Sequence, residues 1–177
     1  MAGKMVGWRP MAAGDLGAVS AVAAVVHPAY PESDAVFAER LRLFPAGCLV
    51  LEGDGAVLGY AVAHPWVRAA PPALDTLLGA LPAGPGAMLL HDLALLPGAR
   101  GLGAGREAVR RVAGLAGGLP LALVAVGGTE AFWRRQGFRA VADPALEALL
   151  RGYDPRARYM ERASGGGRVA SSAAWSM

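Results

Sequence analysis

The 177-residue sequence contains one cysteine, Cys48, and one lysine, Lys4. A single cysteine excludes an internal disulfide framework, and the strand-like run GCLVL around Cys48 predicts a buried hydrophobe rather than a nucleophile. With so little lysine, arginine supplies nearly all of the positive charge. The three histidines are too dispersed for a metal-ligand pattern, so no metal site is predicted.

Charge and long apolar runs are also scarce. Charged residues make up 18% of the chain and hydrophobic residues 54%, a composition that excludes a disordered or fibrous protein and favours one domain with one core. No apolar run approaches the roughly 20 residues of a membrane helix, and MAGKMVGWRP lacks the apolar segment of a signal peptide.

The net charge of +3 is modest, and no basic run alternates with aromatic residues. We therefore predict no nucleic-acid partner and no membrane partner. The expected protein is cytoplasmic, and either a monomer or a homodimer.

Hydrophobic periodicity predicts the order β-α-α-β-β-β-α-β-α-β, followed by a short helix and a final strand. Strands outnumber helices early and a β-α-β unit lies late, which indicates an α+β or mixed α/β fold rather than doubly wound alternation. Residues 68–86 hold four prolines and are predicted to be a long connection. One domain is expected over residues 1–163, followed by a flexible tail over residues 164–177.

The stretch LHDLALLPGARGLGAGREAVRR, residues 90–111, joins a strand to a helix through Gly101, Gly103 and Gly105. Glycines allow a tight turn and leave backbone N–H groups uncovered at the start of a helix, where the helix dipole favours anions. A phosphate or pyrophosphate is the expected ligand. No Gly-Lys-Ser/Thr follows, so a P-loop is excluded, and the position in mid-chain argues against a Rossmann fingerprint.

Residues Arg100 to Gly105 fit the pattern R/Q-x-x-G-x-G/A and resemble the acetyl-coenzyme A loop of the GNAT N-acetyltransferase superfamily. The preceding LALLP resembles that family's fourth strand, and AFWRRQGF, residues 131–138, is similar to its second signature. The likeness covers roughly residues 5–163. It implies a GNAT fold, with a central, mixed, largely antiparallel sheet splayed between strands 4 and 5 and flanked by helices.

The resemblance also implies how acetyl-CoA, the co-substrate, is held. Backbone amides of the loop are expected to bind the pyrophosphate, and the main chain of two residues on strand 4 is expected to pair with the pantetheine arm. Phe132 is expected to pack along that arm, and Arg134 or Arg135 could meet phosphates, although a solvated helix face is the alternative. The predicted cofactor-binding residues are Leu93, Leu95, Arg100, Gly101, Leu102, Gly103, Ala104, Gly105 and Phe132.

In this family a tyrosine of the second signature often protonates the leaving thiolate, but that position is Trp133 here. An indole N–H donates a hydrogen bond but releases no proton at usable pH, so Trp133 is counted with the substrate-contacting residues. The preferred hypothesis is that the thiolate is protonated by water or by the proton that the acceptor ammonium group has released. Alternatively Tyr159 or Tyr153 reaches the site, or the protein binds acetyl-CoA without efficient transfer.

Asp92 and His91 are the candidates for the base that accepts the ammonium proton. Neighbours on a regular strand point to opposite faces, so only one of them is expected to face the groove. Asp92 is predicted to be that residue, because a buried carboxylate without a partner is costly, and His91 is the alternative.

Four further residues are predicted to contact the acceptor. His64 and Trp66 end the third strand, next to the fourth, while His27 and Tyr30 lie between the first two helices, where family members commonly bind acceptor. The apolar, proline-rich residues 68–86 could form a wall of this site. The leading prediction is therefore an N-acetyltransferase acting on an amine of a small molecule or peptide, and the alternative is a non-catalytic acyl-CoA-binding protein.

Overall fold

A computed structural model describes residues 6–152 and 154–164. It contains seven strands and five α-helices within those residues. The elements are β1 (Val6–Pro10), α1 (Leu16–Val26), α2 (Asp34–Leu43), β2 (Cys48–Gly53), β3 (Ala56–Trp66), β4 (Ala87–Leu95), α3 (Ala104–Leu115), β5 (Leu121–Ala125), α4 (Glu130–Arg135), β6 (Arg139–Ala140), α5 (Pro144–Arg151) and β7 (Arg158–Arg162).

The strands form one sheet in the order β1-β2-β3-β4-β5-β7-β6. Every neighbouring pair is antiparallel except β4 and β5, which run parallel. Helices α1 and α2 pack on one face, where Val19, Val22 and Phe37 meet Tyr60 and Val62. Helix α3 covers the other face through Val109 and Val112, which pack against β4 and β5. The predicted mixed α/β, GNAT-type fold is confirmed.

The parallel pair is short. Only Met88↔Leu121 and Leu89↔Ala122 are in register, although β4 continues to Leu95. On its other side β4 stays paired with β3, but the register slips, so that Val62 faces Asp92 while Ala63 faces Leu90. His91 is therefore the extra residue of a β-bulge, and bulges bend the strand that carries them. Strands β4 and β5 separate beyond this point, which confirms the expected splay.

Residues 68–86 contain no helix or strand, as predicted, yet they are tied to α2. The carboxylate of Glu39 accepts hydrogen bonds from the backbone N–H groups of Leu78 (2.6 Å) and Gly79 (2.9 Å). Arg40, with no exposed surface, donates to Glu39 at 2.6 Å and to the carbonyl of Thr76 at 2.8 Å. This buried ion pair holds the connection against the domain.

Parts of the expected organisation fall outside the described residues, namely residues 165–177 of the predicted tail and Tyr153. Over the described ranges, no helix has the length and hydropathy needed to cross a membrane. The same residues contain no group of three or more His, Cys, Asp or Glu side chains placed to hold a metal ion.

Replacing Arg40 should destabilise the fold far more than replacing its neighbour Arg42. Arg40→Met removes one partner of a buried ion pair and is expected to lower the free energy of unfolding by about 3 kcal/mol. Arg42 lies 3.9 Å from Glu39 but is 66% exposed, so Arg42→Met should change it by less than about 0.5 kcal/mol. Urea unfolding of the two variants measures both changes. Equal decreases in the free energy of unfolding would contradict the role given to Arg40.

Candidate functional site

A cavity of about 820 Å³ opens where β4 and β5 separate. At one end it is lined by the glycine-rich turn and the start of α3, and at the other by the α1–α2 loop and part of the 68–86 connection. Leu93 and Leu95 on β4, with Leu123 on β5 and Phe132 on α4, line the stretch between. One continuous space therefore joins the two regions that the sequence assigned to different ligands.

The glycine-rich turn has the backbone that an anion cradle requires. Gly101 and Gly103 have φ values of 79° and 81°, in the left-handed region that favours glycine. Gly103 is the N-cap of α3, so the uncovered N–H groups of the first helical turn follow directly. Five of the cofactor-binding residues predicted in this turn line the cavity, namely Arg100, Gly101, Gly103, Ala104 and Gly105. The side chain of the sixth, Leu102, is 72% exposed and does not line the cavity.

Two packing contacts fix this turn. The indole Nε1 of Trp8 on β1 donates to the carbonyl of Ala104 at 3.0 Å. Phe132 packs so closely on the first turn of α3 that a Cβ at Gly105 would lie 3.1 Å from its ring. The Arg100 side chain also folds back, donating from Nε to the carbonyl of Leu95 at 3.0 Å.

The arginines near the turn divide into paired and unpaired groups. Arg110 and Arg111 both bind Glu107, at 2.6 and 2.9 Å, and Arg134 binds Glu130 at 2.6 Å. Arg106 and Arg135 line the cavity and make no ion pair with the described residues. The cradle and these two guanidinium groups fit a pyrophosphate or phosphate ligand, and they favour Arg135 over Arg134 for contact with it.

At the opposite end, Asp92 is held by two side chains. The hydroxyl of Tyr60 donates to Oδ2 of Asp92, and Nε2 of His27 lies 3.0 Å from Oδ1. His27 comes from the loop that follows α1, whereas Tyr60 comes from β3 beneath it. The site therefore joins two residues predicted for different roles, Asp92 as base and His27 as acceptor contact, into one imidazole–carboxylate pair.

Burial and charge act against each other in this pair. Burial lowers the pKa of His27, but the Asp92 carboxylate and the backbone of Leu93 outweigh it, so the pKa lies above the ordinary value of 6.5. Burial raises the pKa of Asp92, but His27 and Tyr60 outweigh that effect and bring it below its ordinary value. Each group stabilises the charged form of the other.

A second imidazole–carboxylate pair lies beside the first. Nε2 of His91 is 2.8 Å from Oε2 of Glu32, and both side chains are less than one tenth exposed. His91 and Asp92 both line the cavity, so the expectation that they point to opposite faces is wrong. The bulge at His91 inserts one residue into β4 and resets the alternation, which brings both side chains to the face covered by the α1–α2 loop.

Besides Leu102, three residues predicted for catalysis or acceptor binding do not line the cavity. His64 has no exposed surface and its Nδ1 lies 3.1 Å from the carbonyl of Pro65; burial lowers its pKa to about 3. The indole of Trp66 donates to the carbonyl of Ala70 at 2.9 Å. Tyr159, 3% exposed, accepts a hydrogen bond from the N–H of Ala69 at 2.9 Å. Trp66 and Tyr159 instead pack with α5, and the ring of His64 lies behind His91, with 6.0 Å between the two ring centroids.

Tyr30 lines the cavity, as predicted, and also closes one side of it. Its hydroxyl donates to Asp154 at 2.6 Å, and the same carboxylate accepts from the N–H of Gly127 at 3.0 Å. Trp133 lines the cavity too, but it is only 8% exposed and packs edge-on against Phe132 and Phe138.

Sequence reasoning missed Glu32, Tyr60 and Asp154. Glu32 follows Tyr30 by two residues, in the same loop that carries both predicted acceptor contacts, so its carboxylate was an available signal. Tyr60 and Asp154 reach the site only through the pairing of β3 with β4 and through the turn before β7.

The acetyltransferase (GNAT) family profile matches residues 19–138, and the chain belongs to this family. The match spans both predicted signatures and the loop between α1 and α2. No curated protein sequence matches the chain at a significant level.

Solved structures share the fold at low sequence identity. The loading GNATL domain of CurA from Lyngbya majuscula has a TM-score of 0.74 at 11% identity, covering 90% of this chain and 98% of that one. The GphF GNAT-like decarboxylase in complex with isobutyryl-CoA has a TM-score of 0.67 at 21% identity, covering 90% and 100%. A GNAT family acetyltransferase from Brucella melitensis in complex with acetyl-CoA has a TM-score of 0.56 at 22% identity, covering 92% and 90%.

A β-branched residue at Gly103 should weaken coenzyme A binding without unfolding the protein. Gly103→Val forces a left-handed φ on valine, which strains the turn that presents the N–H groups, and affinity is expected to fall at least about tenfold, as 1–2 kcal/mol of strain implies. Gly98→Val is the matched control, since Gly98 lies in the same turn, outside the left-handed region and in open space. Calorimetric titration with coenzyme A compares them, and unchanged affinity in Gly103→Val would refute the cradle.

Proposed function

We propose that this protein is an acetyl-CoA-dependent N-acetyltransferase that acts on a primary amine of a small molecule or peptide. The observation that carries the proposal is the single cavity that runs from the anion cradle at α3 to the His27–Asp92 pair. Membership of the acetyltransferase family and the fold shared with acyl-CoA complexes support it.

In this proposal the cradle and the two unpaired arginines bind the phosphates of acetyl-CoA. The backbone of β4 beyond Leu90 has no β5 partner, so its main-chain groups are available to the amide-bearing pantetheine arm. Phe132 and Leu93 give this arm an apolar channel. The thioester then reaches the level of Asp92 and His27, where the acceptor enters from the α1–α2 side.

His27 is proposed as the base that takes the proton from the acceptor ammonium. A carboxylate beside an imidazole orients the ring and stabilises the imidazolium that forms when the proton is accepted. Asp92 is itself a poor base, because its two oxygens face Tyr60 and His27 and its pKa is lowered. Asp92 therefore keeps its place in the site as the group that positions His27.

The neutral amine attacks the thioester carbonyl, the C–S bond breaks, and the thiolate of coenzyme A leaves. Tyr30 is the only tyrosine among the described residues that line the cavity, and its hydroxyl is committed to Asp154. Water, or the proton released from the amine, is therefore proposed to neutralise the thiolate. The thiol is a good enough leaving group for this route.

The alternative is a protein that binds acyl-CoA without transferring the acyl group. The buried indole of Trp133, at the position where the family's tyrosine acid is expected, favours it. Release of free thiol, measured with acetyl-CoA and a broad panel of primary amines, separates the two functions. Amine-dependent thiol release with an acetylated product supports the enzyme, whereas tight acetyl-CoA binding without product from any amine supports the alternative.

The pH profile tests the role of His27. Catalysis needs neutral His27, and Asp92 raises its pKa, so the acid limb of kcat/KM is expected above pH 6.5. In Asp92→Asn the carboxylate is lost while the burial remains, so the limb should move to lower pH, and the rate should fall about 100-fold. His27→Gln should remove this limb altogether.

Glu147→Gln is the control for these variants, because Glu147 lies on α5 and does not line the cavity. Its profile should match that of the unaltered protein. An acid limb that stays in place in Asp92→Asn would contradict the positioning role of Asp92. A limb that disappears in His91→Gln but persists in His27→Gln would assign the base to the His91–Glu32 pair.

A further inference from the structure

The acceptor end of the cavity is the part lined by Val26, His27, Tyr30, Glu32, residues 71–74 and the His91–Asp92 step. We infer, building on the proposed transferase function, that its substrate is a primary amine with an apolar aryl or alkyl body and no carboxylate near the amine. The charge distribution and the shape of one wall carry this inference.

The charges along the cavity are separated by sign. The arginines that line it are Arg100, Arg106 and Arg135, which belong to the cradle or follow Phe132 on α4. At the acceptor end the two carboxylates, Glu32 and Asp92, each face one imidazole. With both imidazoles protonated, the charges of these four groups sum to zero. With either imidazole neutral, the acceptor end carries a net negative charge.

No guanidinium or ammonium group among the described residues lines the acceptor end. Arg40, which interacts electrostatically with Glu32, is committed to Glu39 and the carbonyl of Thr76. Arg156, behind Tyr30, lies beside Asp154 and does not line the cavity. A substrate carboxylate would meet two carboxylates and no guanidinium or ammonium partner, whereas a substrate ammonium group is attracted.

One wall of the acceptor end is apolar. Pro71, Pro72 and Leu74 form it with Val26 of α1, and proline offers no N–H to a substrate. This wall therefore provides little hydrogen bonding for a polyhydroxylated or polycationic body and suits a ring or an alkyl chain.

Hydrogen bonds hold the wall in place. The N–H of Asp75 donates to Oε1 of Glu32 at 3.3 Å, and the carboxylate of Asp75 accepts from the N–H of Ser33 at 2.7 Å. The same carboxylate group of Glu32 thus faces His91 and anchors the proline segment. In this inference Glu32 therefore contributes both to the negative charge of the acceptor end and to the position of its apolar wall.

Phenethylamine and phenylalanine form a matched pair of probes, since they differ only by the carboxylate beside the amine. With acetyl-CoA, kcat/KM for phenethylamine should exceed that for phenylalanine at least about 100-fold, given the cost of placing like charges together. With coenzyme A bound, calorimetry should detect phenethylamine binding and at most weak phenylalanine binding. Spermidine should be a poorer substrate than phenethylamine.

The outcomes separate this inference from the proposed function. Equal or better use of phenylalanine or spermidine would overturn the inference and leave the transferase standing. Selective binding of phenethylamine without acetylation of any amine would support the inference and refute the transferase. Absence of both binding and turnover of phenethylamine would overturn the inference.

A cation introduced into the wall gives a second test. Ala73 is exposed and lines the acceptor end, whereas Ala83 is exposed in the same connection but does not line the cavity. Ala73→Arg should supply a partner for the carboxylate of phenylalanine. The ratio of kcat/KM for phenethylamine to kcat/KM for phenylalanine is then expected to fall at least about tenfold. Ala83→Arg is the control and should leave the ratio unchanged, so an equal effect of both variants would contradict the inference.

Discussion

The β-bulge at His91 is the local irregularity on which the site depends. Leu89 is the last residue of β4 in register with β5, and His91 lies two residues beyond it. A bulged strand bends, and this bend carries β4 away from its parallel neighbour β5. The same inserted residue brings His91 and Asp92 to one face. A regular strand here would leave β4 and β5 without the gap and would turn one of the two side chains away from the α1–α2 loop.

Around this gap the chain separates two kinds of electrostatics. At α3 the groups suited to an anion are backbone N–H groups, the helix dipole and guanidinium groups without an ion pair among the described residues, and none of them depends on protonation at neutral pH. At the α1–α2 loop the charged groups are imidazole–carboxylate pairs, whose charge changes with a proton. The α1–α2 loop and β4 each contribute one histidine and one carboxylate. The histidine of each segment pairs with the carboxylate of the other. A ligand that is anionic at one end and delivers a reactive group at the other matches this division.

Much of the fold and of the cradle could be predicted from the sequence, because the determinants there are local. The turn glycines, the amphipathic α3 and the proline-rich connection appear where the patterns indicate them. The acceptor end was predicted less well. His64, Trp66 and Tyr159 are predicted at the site from their positions in the strands, yet their hydrogen-bond partners are Pro65, Ala70 and Ala69, none of which lines the cavity. Alternation failed at His91 because nothing in LHDLALL marks a bulge, which arises from the pairing of β4 with β3.

The sequence alone determined the family, the fold class and the glycine-rich turn before α3, since such a turn carries its own backbone geometry within a few residues. Tertiary structure decided the chemistry at the other end. His27, Tyr60 and Asp92 are separated along the chain and meet only when the α1–α2 loop folds over β4 beside β3. Their protonation states follow from that contact, because burial and neighbouring charge, which set the pKa of each group, exist only in the folded protein.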